Sequence, residues 1–206
     1  MSHEIPQRSA GAELILASAS PRRRELLDQI GVRYRLQAAA LDERQLSGES
    51  PGACVQRLAL AKAQHVYGLA GAQAVVVLGA DTAVVLDGRM LGKPADRADH
   101  LRMMSALSGR IHEVLTAVAV VSARGLSVCL SQNKVRLIEL SAADADAYWA
   151  TGEPADKAGG YAVQGRAALF VSDLHGSYSG VMGLPLCETA SLLAQHGVLP
   201  LWKQRA

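Results

Sequence analysis

Two long extended segments in the middle of the chain constrain the fold more than any other feature of the sequence. Residues 111–122 and 127–139 both have the pattern of β-strands, and Arg124-Gly125 lies between them as a turn. Together they predict a long antiparallel hairpin. Helical patterns occur before and after it, but antiparallel pairing argues against a purely parallel, doubly wound sheet. We therefore expect an α/β fold built on a mixed sheet.

The rest of the chain alternates short strands with helices. Extended segments are predicted at residues 14–17, 74–78, 82–86, 161–164 and 167–172, with a hairpin turn at Asp87-Gly88. Helices are predicted at 21–30 and 51–67, from just after Pro94 to about 108, at 141–150 and at 185–196. Neither repeats nor a low-complexity linker interrupts this pattern. We expect one domain of two lobes at 13–200, a flexible tail at 1–12 and a short C-terminal tail at 201–206.

Composition argues against several classes of protein. Aromatic residues make up 4% of the 206 residues and the formal net charge is +2, so a surface for nucleic acid is not expected. The apolar run from Ala74 to Leu78 is too short to span a bilayer, and Met1 to Ala10 lacks the apolar core of a signal peptide. The three cysteines are far apart, as in a protein with reduced thiols. We expect a cytoplasmic protein that binds neither nucleic acid nor membranes.

The segment from Ser18 to Arg24 is a candidate phosphate site. Ser20 suits the N-cap of a helix and Pro21 suits its first position. Arginines at 22–24 in that first turn oppose the helix dipole, each at a cost of about 0.3–1 kcal/mol. A bound polyanion would reverse that balance, since free N–H groups at a helix N-terminus bind phosphate. The alternative is three solvated arginines at the surface end of a helix.

Acidic residues suggest a metal site. Asp81 follows the predicted strand 74–78, and open α/β sheets place ligand-binding groups just past the C-terminal ends of strands. Asp42 and Glu43, in a loop, could supply further oxygen ligands, because Mg²⁺ is usually held by carboxylates together with substrate phosphates. The alternative for Asp81 is an aspartate that caps a turn.

Two lysines and one amide complete the candidates. Lys62 falls on the apolar face of its predicted helix, where a charge is costly unless the side chain reaches an anion. Lys93 lies where the chain leaves a hairpin. Gln164 ends a predicted strand and could read both donor and acceptor edges of a ligand, although a plain hairpin turn would explain the same sequence.

Taken together, these residues resemble the Maf family of nucleotide pyrophosphatases over about residues 13–198. The resemblance is carried by segments 16–23, 41–43, 57–63, 79–82, 91–94, 156–165 and 181–186. It implies a two-lobed, mixed-sheet fold with a central active-site cleft, shared with inosine triphosphate pyrophosphatases. It also implies hydrolysis between the α and β phosphates of a nucleoside triphosphate, dependence on Mg²⁺ or Mn²⁺, and often a homodimer.

Roles follow from the resemblance, position by position. Asp81, Glu43, Lys62 and Lys93 match the catalytic set, with Glu43 and Asp81 as metal ligands and Asp81 as the candidate general base. Ser18, Ser20, Arg22 and Arg23 match the phosphate-binding set. The branch that acts on dTTP and UTP has Arg, Thr and Gln where the 7-methyl-GTP branch tends to have Trp, Gln and Glu. This chain has Arg22, Thr82 and Gln164 at those positions, so it resembles the dTTP/UTP branch.

Two alternatives remain open at the level of sequence. The chain could hydrolyse 7-methyl-GTP or other noncanonical nucleotides. It could also be a nucleotide-sensing regulator of cell division without catalysis, although acidic residues beside a bound polyanion favour an enzyme.

Overall fold

The predicted hairpin lies at the centre of a mixed β-sheet. The computed structural model describes residues 13–71 and 74–203, and within that part of the chain the strands form one seven-stranded sheet. The strands are β1 (Glu13–Leu16), β2 (Arg35–Leu36), β3 (Val75–Leu86), β4 (Arg89–Leu91), β5 (Ile111–Ser122), β6 (Gly125–Leu137) and β7 (Val171–His175). The α-helices are α1 (Pro21–Gln29), α2 (Pro51–Ala70), α3 (Arg97–Leu107), α4 (Ala142–Trp149), α5 (Tyr178–Met182) and α6 (Leu186–Gln195).

The order of the strands confirms a mixed α/β sheet. They lie in the order β2-β1-β3-β5-β6-β7, and β4 pairs with β3 off this path. Strand β1 is parallel to both β2 and β3, whereas β3, β5, β6 and β7 pair antiparallel. The β5–β6 hairpin is paired over its whole length, from Ile111 opposite Arg136 to Ser122 opposite Gly125.

Strand β3 is longer than expected, which corrects the placement of Asp81. The strands predicted at 74–78 and 82–86 are one continuous strand, and Asp81 lies in its middle opposite Ala117 rather than past a strand end. The reason is the neighbouring strand. Because β5 is equally long, the ladder of backbone hydrogen bonds keeps β3 extended through the segment between the two predicted pieces.

The strand pair predicted at 161–164 and 167–172 is wrong. Residues 161–165 are irregular, Arg166–Phe170 form a 3₁₀ helix, and only β7 joins the sheet. Side chains hold the backbone of this segment away from a strand ladder, as described below. The hairpin turn predicted at Asp87-Gly88 is confirmed, because β3 and β4 pair antiparallel on either side of it, whereas the short strand β2 and the short helix α5 were not predicted. The tail expected at 1–12 and the last residues, 204–206, lie outside the described residues, and Leu201–Lys203 form a 3₁₀ turn.

Helices cover both faces of the sheet because the strand residues alternate in direction. Leu14 and Leu16 of β1 belong to a buried cluster with residues of α1 and α6. Ile15 of the same strand belongs to a second cluster with residues of α2. A third cluster joins the far half of the sheet to α3 and α4. Among the described residues, every helix is too short or too polar to cross a lipid bilayer.

Helix α2 approaches β3 closely at one glycine. A Cβ atom added to Gly79 would lie 2.3 Å from the carbonyl oxygen of Ala59 and 2.9 Å from the backbone nitrogen of Ala63. Only glycine allows this approach of helix to strand. The approach brings Lys62 of α2 against Asp81 of β3, two residues along the strand from Gly79.

Replacing Gly79 tests this packing. Gly79→Ala should lower the free energy of unfolding by about 1–3 kcal/mol, because the helix must move away from the strand. Gly68→Ala is the control. Gly68 lies on helix α2, which Gly79 contacts, and a Cβ added there meets nothing within 4 Å. This substitution should raise the free energy of unfolding by about 0.4–1 kcal/mol. Urea unfolding measures both, and equal effects of the two substitutions would contradict the close approach.

Candidate active site

A cleft with a volume of about 350 Å³ lies where α1, α2 and the middle of β3 meet. The structure brings together in it every side chain nominated from sequence as catalytic, phosphate-binding or base-reading: Ser18, Ser20, Arg22, Arg23, Glu43, Lys62, Asp81, Thr82, Lys93 and Gln164. Asp42, the other suggested oxygen ligand, is instead exposed and paired with Arg44 at 2.6 Å.

Lys62 joins the two carboxylates of the cleft. Its Nζ atom lies 2.6 Å from Oδ1 of Asp81 and 2.6 Å from Oε1 of Glu43. The two oxygen atoms therefore lie within twice that distance of each other. Lys62 is 7% exposed and Asp81 is 8% exposed, so the apolar face predicted for Lys62 is confirmed. A buried ammonium is tolerated here because it is paired.

The environment of Asp81 favours a role in proton transfer. Burial raises the pKa of the Asp81 carboxyl above its ordinary value, and the charges of Lys62 and Arg23 oppose that rise. A carboxylate with a raised pKa is a stronger base than an exposed one, and it is still ionised once the pH exceeds its pKa.

Glu43 and Asp81 form the donor pair that a divalent cation could use. Among the described residues, no group of three or more His, Cys, Asp or Glu side chains could hold a metal ion. Two carboxylates suit a cation that needs few protein ligands. Mg²⁺ is commonly bound by one or two carboxylates, with water and substrate phosphates completing the shell. The convergence of these two carboxylates on a single cationic atom, Lys62 Nζ, is consistent with that arrangement.

Arg23 is fixed by three hydrogen bonds beneath the cleft. Its Nε donates to the carbonyl oxygen of Gly183 at 2.8 Å, and its two terminal nitrogens donate to Ser18 Oγ and Thr82 Oγ1, both at 3.1 Å. Burial lowers the pKa of Arg23, but a guanidinium starts so high that it stays charged at neutral pH. The guanidinium has five N–H groups, so two are left for a ligand in the cleft.

Thr82 belongs to a chain of hydroxyl groups that sequence reasoning missed. Its Oγ1 lies 2.9 Å from Oγ1 of Thr116, and Thr116 donates to the carbonyl oxygen of Gly180 at 2.8 Å. Because Thr116 gives its only proton to Gly180, Thr82 must donate to Thr116. Thr82 already accepts from Arg23, so it can offer a ligand only its remaining lone pair. A threonine in strand β5 carries no sequence signal that would have distinguished Thr116.

The arginine-rich start of α1 faces the cleft with two of its three arginines. Pro21 begins the helix as predicted, and the side chain of Ser20 does not cap it, which leaves first-turn N–H groups free to meet an anion. Arg22 and Arg23 line the cleft, but Arg24 does not.

The cleft also contains charged residues that the sequence analysis did not propose as site residues. Asp156 and Lys157 line the cleft and form an ion pair, and the backbone nitrogen of Gly159 donates to the carbonyl oxygen of Gly92 at 2.9 Å. That hydrogen bond holds the segment that contains Asp156 and Lys157 next to Lys93. Among the described residues that line the cleft, five basic side chains outnumber three carboxylates: Arg22, Arg23, Lys62, Lys93 and Lys157 against Glu43, Asp81 and Asp156. The excess of positive charge favours a polyanion.

Gln164 and several apolar side chains also line the cleft. Aliphatic side chains such as Val84 and Met182 line it together with Tyr161. No described residue hydrogen-bonds the side-chain amide of Gln164, so both of its ends are free for a ligand. The cleft thus combines a charged part suited to a phosphate chain with an apolar part and one neutral amide. That combination suits a nucleotide.

Comparison with known proteins identifies the family of this chain. The family model described as a Maf-like protein matches residues 13–196, and the chain belongs to that family. The dTTP/UTP pyrophosphatase of Saccharophagus degradans is 50% identical over 197 residues, which cover 95% of this chain and 93% of the relative. The dTTP/UTP pyrophosphatase of Alkalilimnicola ehrlichii is 53% identical over 189 residues, covering 90% and 93%. That of Hahella chejuensis is 48% identical over 186 residues, covering 90% and 92%.

Binding of inorganic tripolyphosphate tests the charged part of the cleft. At a concentration 100 times its Kd, tripolyphosphate should stabilise the folded protein by about 2.7 kcal/mol. Arg23→Lys should weaken that binding by about tenfold, because a lysine cannot keep the geometry of the guanidinium. Arg24→Lys, in the same helical turn but outside the cleft, should leave binding unchanged. Thermal unfolding with and without tripolyphosphate measures both, and equal losses in the two variants would exclude Arg23 as a specific contact.

Proposed function

We propose that this protein hydrolyses dTTP and UTP between the α and β phosphates, releasing the nucleoside monophosphate and pyrophosphate. Its relatives at about 50% identity, matched over nine-tenths of both chains, are named for action on these nucleotides. In this chain, the supporting observation is the convergence of Lys62, Asp81 and Glu43 in a basic cleft. Carboxylates repel phosphates, so a protein that only binds nucleotide would gain little from them.

The geometry suits attack by water on the α-phosphorus. Asp81 accepts a proton from that water, and its raised pKa makes it an effective base. As the bond to the β-phosphate breaks, negative charge grows on the leaving pyrophosphate. Arg23, Lys62 and Lys93 neutralise this charge, and the first-turn N–H groups of α1 hold a phosphate in place. Arg23 and Lys62 are held by hydrogen bonds and ion pairs before the substrate arrives, so they need little reorganisation during the reaction.

A divalent cation, Mg²⁺ or Mn²⁺, is part of the proposal. Glu43 and Asp81 would hold it, and when bound it would neutralise phosphate charge and lower the pKa of a coordinated water. Lys62 keeps the two carboxylates together, so removing that lysine would separate them as well as remove a charge. From its family membership and the location of nucleotide pools, we also propose that the protein acts in the cytoplasm as a homodimer.

The uncharged Gln164 supports a pyrimidine with a carbonyl and an N3–H group. An amide offers one donor and one acceptor, which match that edge of uracil and thymine. Arg22 and the acceptor lone pair of Thr82 complete the proposed selectivity set. 7-Methylguanine is cationic and would favour an aromatic stack and a carboxylate instead. Among the described residues that line the cleft, Tyr161 is the single aromatic side chain, so 7-methyl-GTP is less well supported as the substrate.

A nucleotide panel with identification of the products tests this proposal. With Mg²⁺ supplied, dTTP and UTP should yield the monophosphate and pyrophosphate, with kcat/KM at least about tenfold above that for 7-methyl-GTP. Chromatography of the products measures both the bond that is cut and the preferred base.

Three outcomes would contradict the proposal. Release of a diphosphate and inorganic phosphate would place the cut at the wrong bond. A preference for 7-methyl-GTP would favour the alternative substrate. Calorimetric binding of UTP without release of pyrophosphate would favour a nucleotide-sensing regulator.

A further inference from the structure

We propose that Tyr148 and Glu153 are positioning residues that hold the turn carrying Gln164 and thereby set the base selectivity of the cleft. Neither residue lines the cleft. The inference rests on the proposed function, because it takes Gln164 as the group that reads the base.

Gln164 lies on a tight turn with little backbone support of its own. The backbone nitrogen of Gly165 donates to the carbonyl oxygen of Ala162 at 3.0 Å, which leaves Val163 and Gln164 as the two central residues. The segment is not part of the sheet. Groups outside the turn must therefore hold it in place.

A connected pair of side chains holds both ends of this turn. The hydroxyl of Tyr148 accepts a hydrogen bond from the backbone nitrogen of Ala162 at 3.1 Å and donates to Oε1 of Glu153 at 2.7 Å. Oε2 of Glu153 accepts from the backbone nitrogen of Arg166 at 3.1 Å. The two anchored nitrogens lie two residues before and two residues after Gln164. The position of the Gln164 backbone, and with it the place from which the side chain enters the cleft, thus depends on one chain of hydrogen bonds.

This pair of side chains, called here the Tyr148–Glu153 clamp, is itself rigid. Tyr148 is 4% exposed, and its ring packs edge-on against Phe170 with the ring centres 5.5 Å apart. Burial raises the pKa of the Tyr148 hydroxyl, so it keeps the proton that it donates to Glu153. The carboxylate of Glu153 lies against the backbone of the turn, since a Cβ added to Gly165 would fall 2.4 Å from Oε1. Glycine at 165 leaves room for that carboxylate.

Orientation matters because an amide can be reversed. Rotating the amide of glutamine by half a turn exchanges its donor and its acceptor. A glutamine that is free to move can therefore meet the edge of uracil or, after rotation, the opposite pattern of cytosine. Holding the backbone of the turn limits the side-chain rotamers from which the amide can reach the base, so fewer orientations are open to it than on a loose turn. Loosening the turn should lower the discrimination between UTP and CTP without disturbing Lys62 and Asp81 on α2 and β3.

Tyr148→Phe tests this by removing the shared hydroxyl while keeping the ring. Both hydrogen bonds of the hydroxyl are lost, and the ratio of kcat/KM for UTP to that for CTP should fall about fivefold, the effect of losing one hydrogen bond between Gln164 and the base. The kcat for UTP should stay within about twofold of wild type. Glu153→Gln should also lower the ratio, because both carboxylate oxygens of Glu153 accept hydrogen bonds and an amide has only one oxygen. This second variant provides the test if Tyr148→Phe folds poorly. Tyr34→Phe is the matched control, as it removes a hydroxyl bonded to Asp28 at 3.0 Å on helix α1.

A double-mutant cycle separates positioning from general loss of structure. In a Gln164→Ala background, Tyr148→Phe should not change the UTP-to-CTP ratio any further, because the group being positioned is gone. The inference is overturned if both clamp variants keep the wild-type ratio, or if the effect of Tyr148→Phe persists in full without Gln164. A wild type that cleaves neither nucleotide, or cleaves both equally well, would overturn the proposed base reading and this inference with it.

Discussion

The contact between Lys62 of α2 and Asp81 of β3 is the interaction on which the rest of the site depends. Both groups are nearly excluded from water, so removing Lys62 would leave the buried carboxylate of Asp81 without its paired cation, at a cost of about 3–5 kcal/mol. The contact requires α2 to lie close to the strand, which the bare backbone of Gly79 permits. Glu43 reaches the same ammonium from a loop. Two carboxylates and one ammonium group are thereby brought together in a cleft whose lining has an excess of positive charge.

A second network of hydrogen bonds fixes Arg23 beneath the cleft. Arg23 bonds to Ser18, Thr82 and Gly183, so one guanidinium connects the start of α1, the middle of β3 and the segment after α5. Thr116 extends this network across the neighbouring strand to Gly180. The two carboxylates and Arg23 are thus held around a common space by networks that meet at the neighbouring residues Asp81 and Thr82 of β3. Such an arrangement is fixed before a ligand arrives, which reduces the reorganisation needed in a reaction.

The sequence predicted the parts of this structure that depend on local pattern. The long hairpin, the start of α1 at Pro21 and the burial of Lys62 all follow from periodicity and turn chemistry, and they are confirmed. Asp81 was placed at a strand end because its flanking residues look like a turn, whereas pairing with a long neighbour keeps it extended. The strands predicted around Gln164 failed for a similar reason. Distant side chains, Tyr148 and Glu153, take the backbone bonds that a sheet would have used. Tertiary contacts of this kind leave no local signal.

A single-turnover experiment on Asp81→Asn, saturated with UTP in the presence of Mg²⁺, tests the central claim most directly. Asparagine keeps the size of the side chain but cannot accept the proton of an attacking water. We expect UTP to remain bound while the rate of pyrophosphate release falls by about 10²–10⁴-fold, the usual contribution of a general base. A bound nucleotide that is cut within about threefold of the wild-type rate would contradict the role of Asp81.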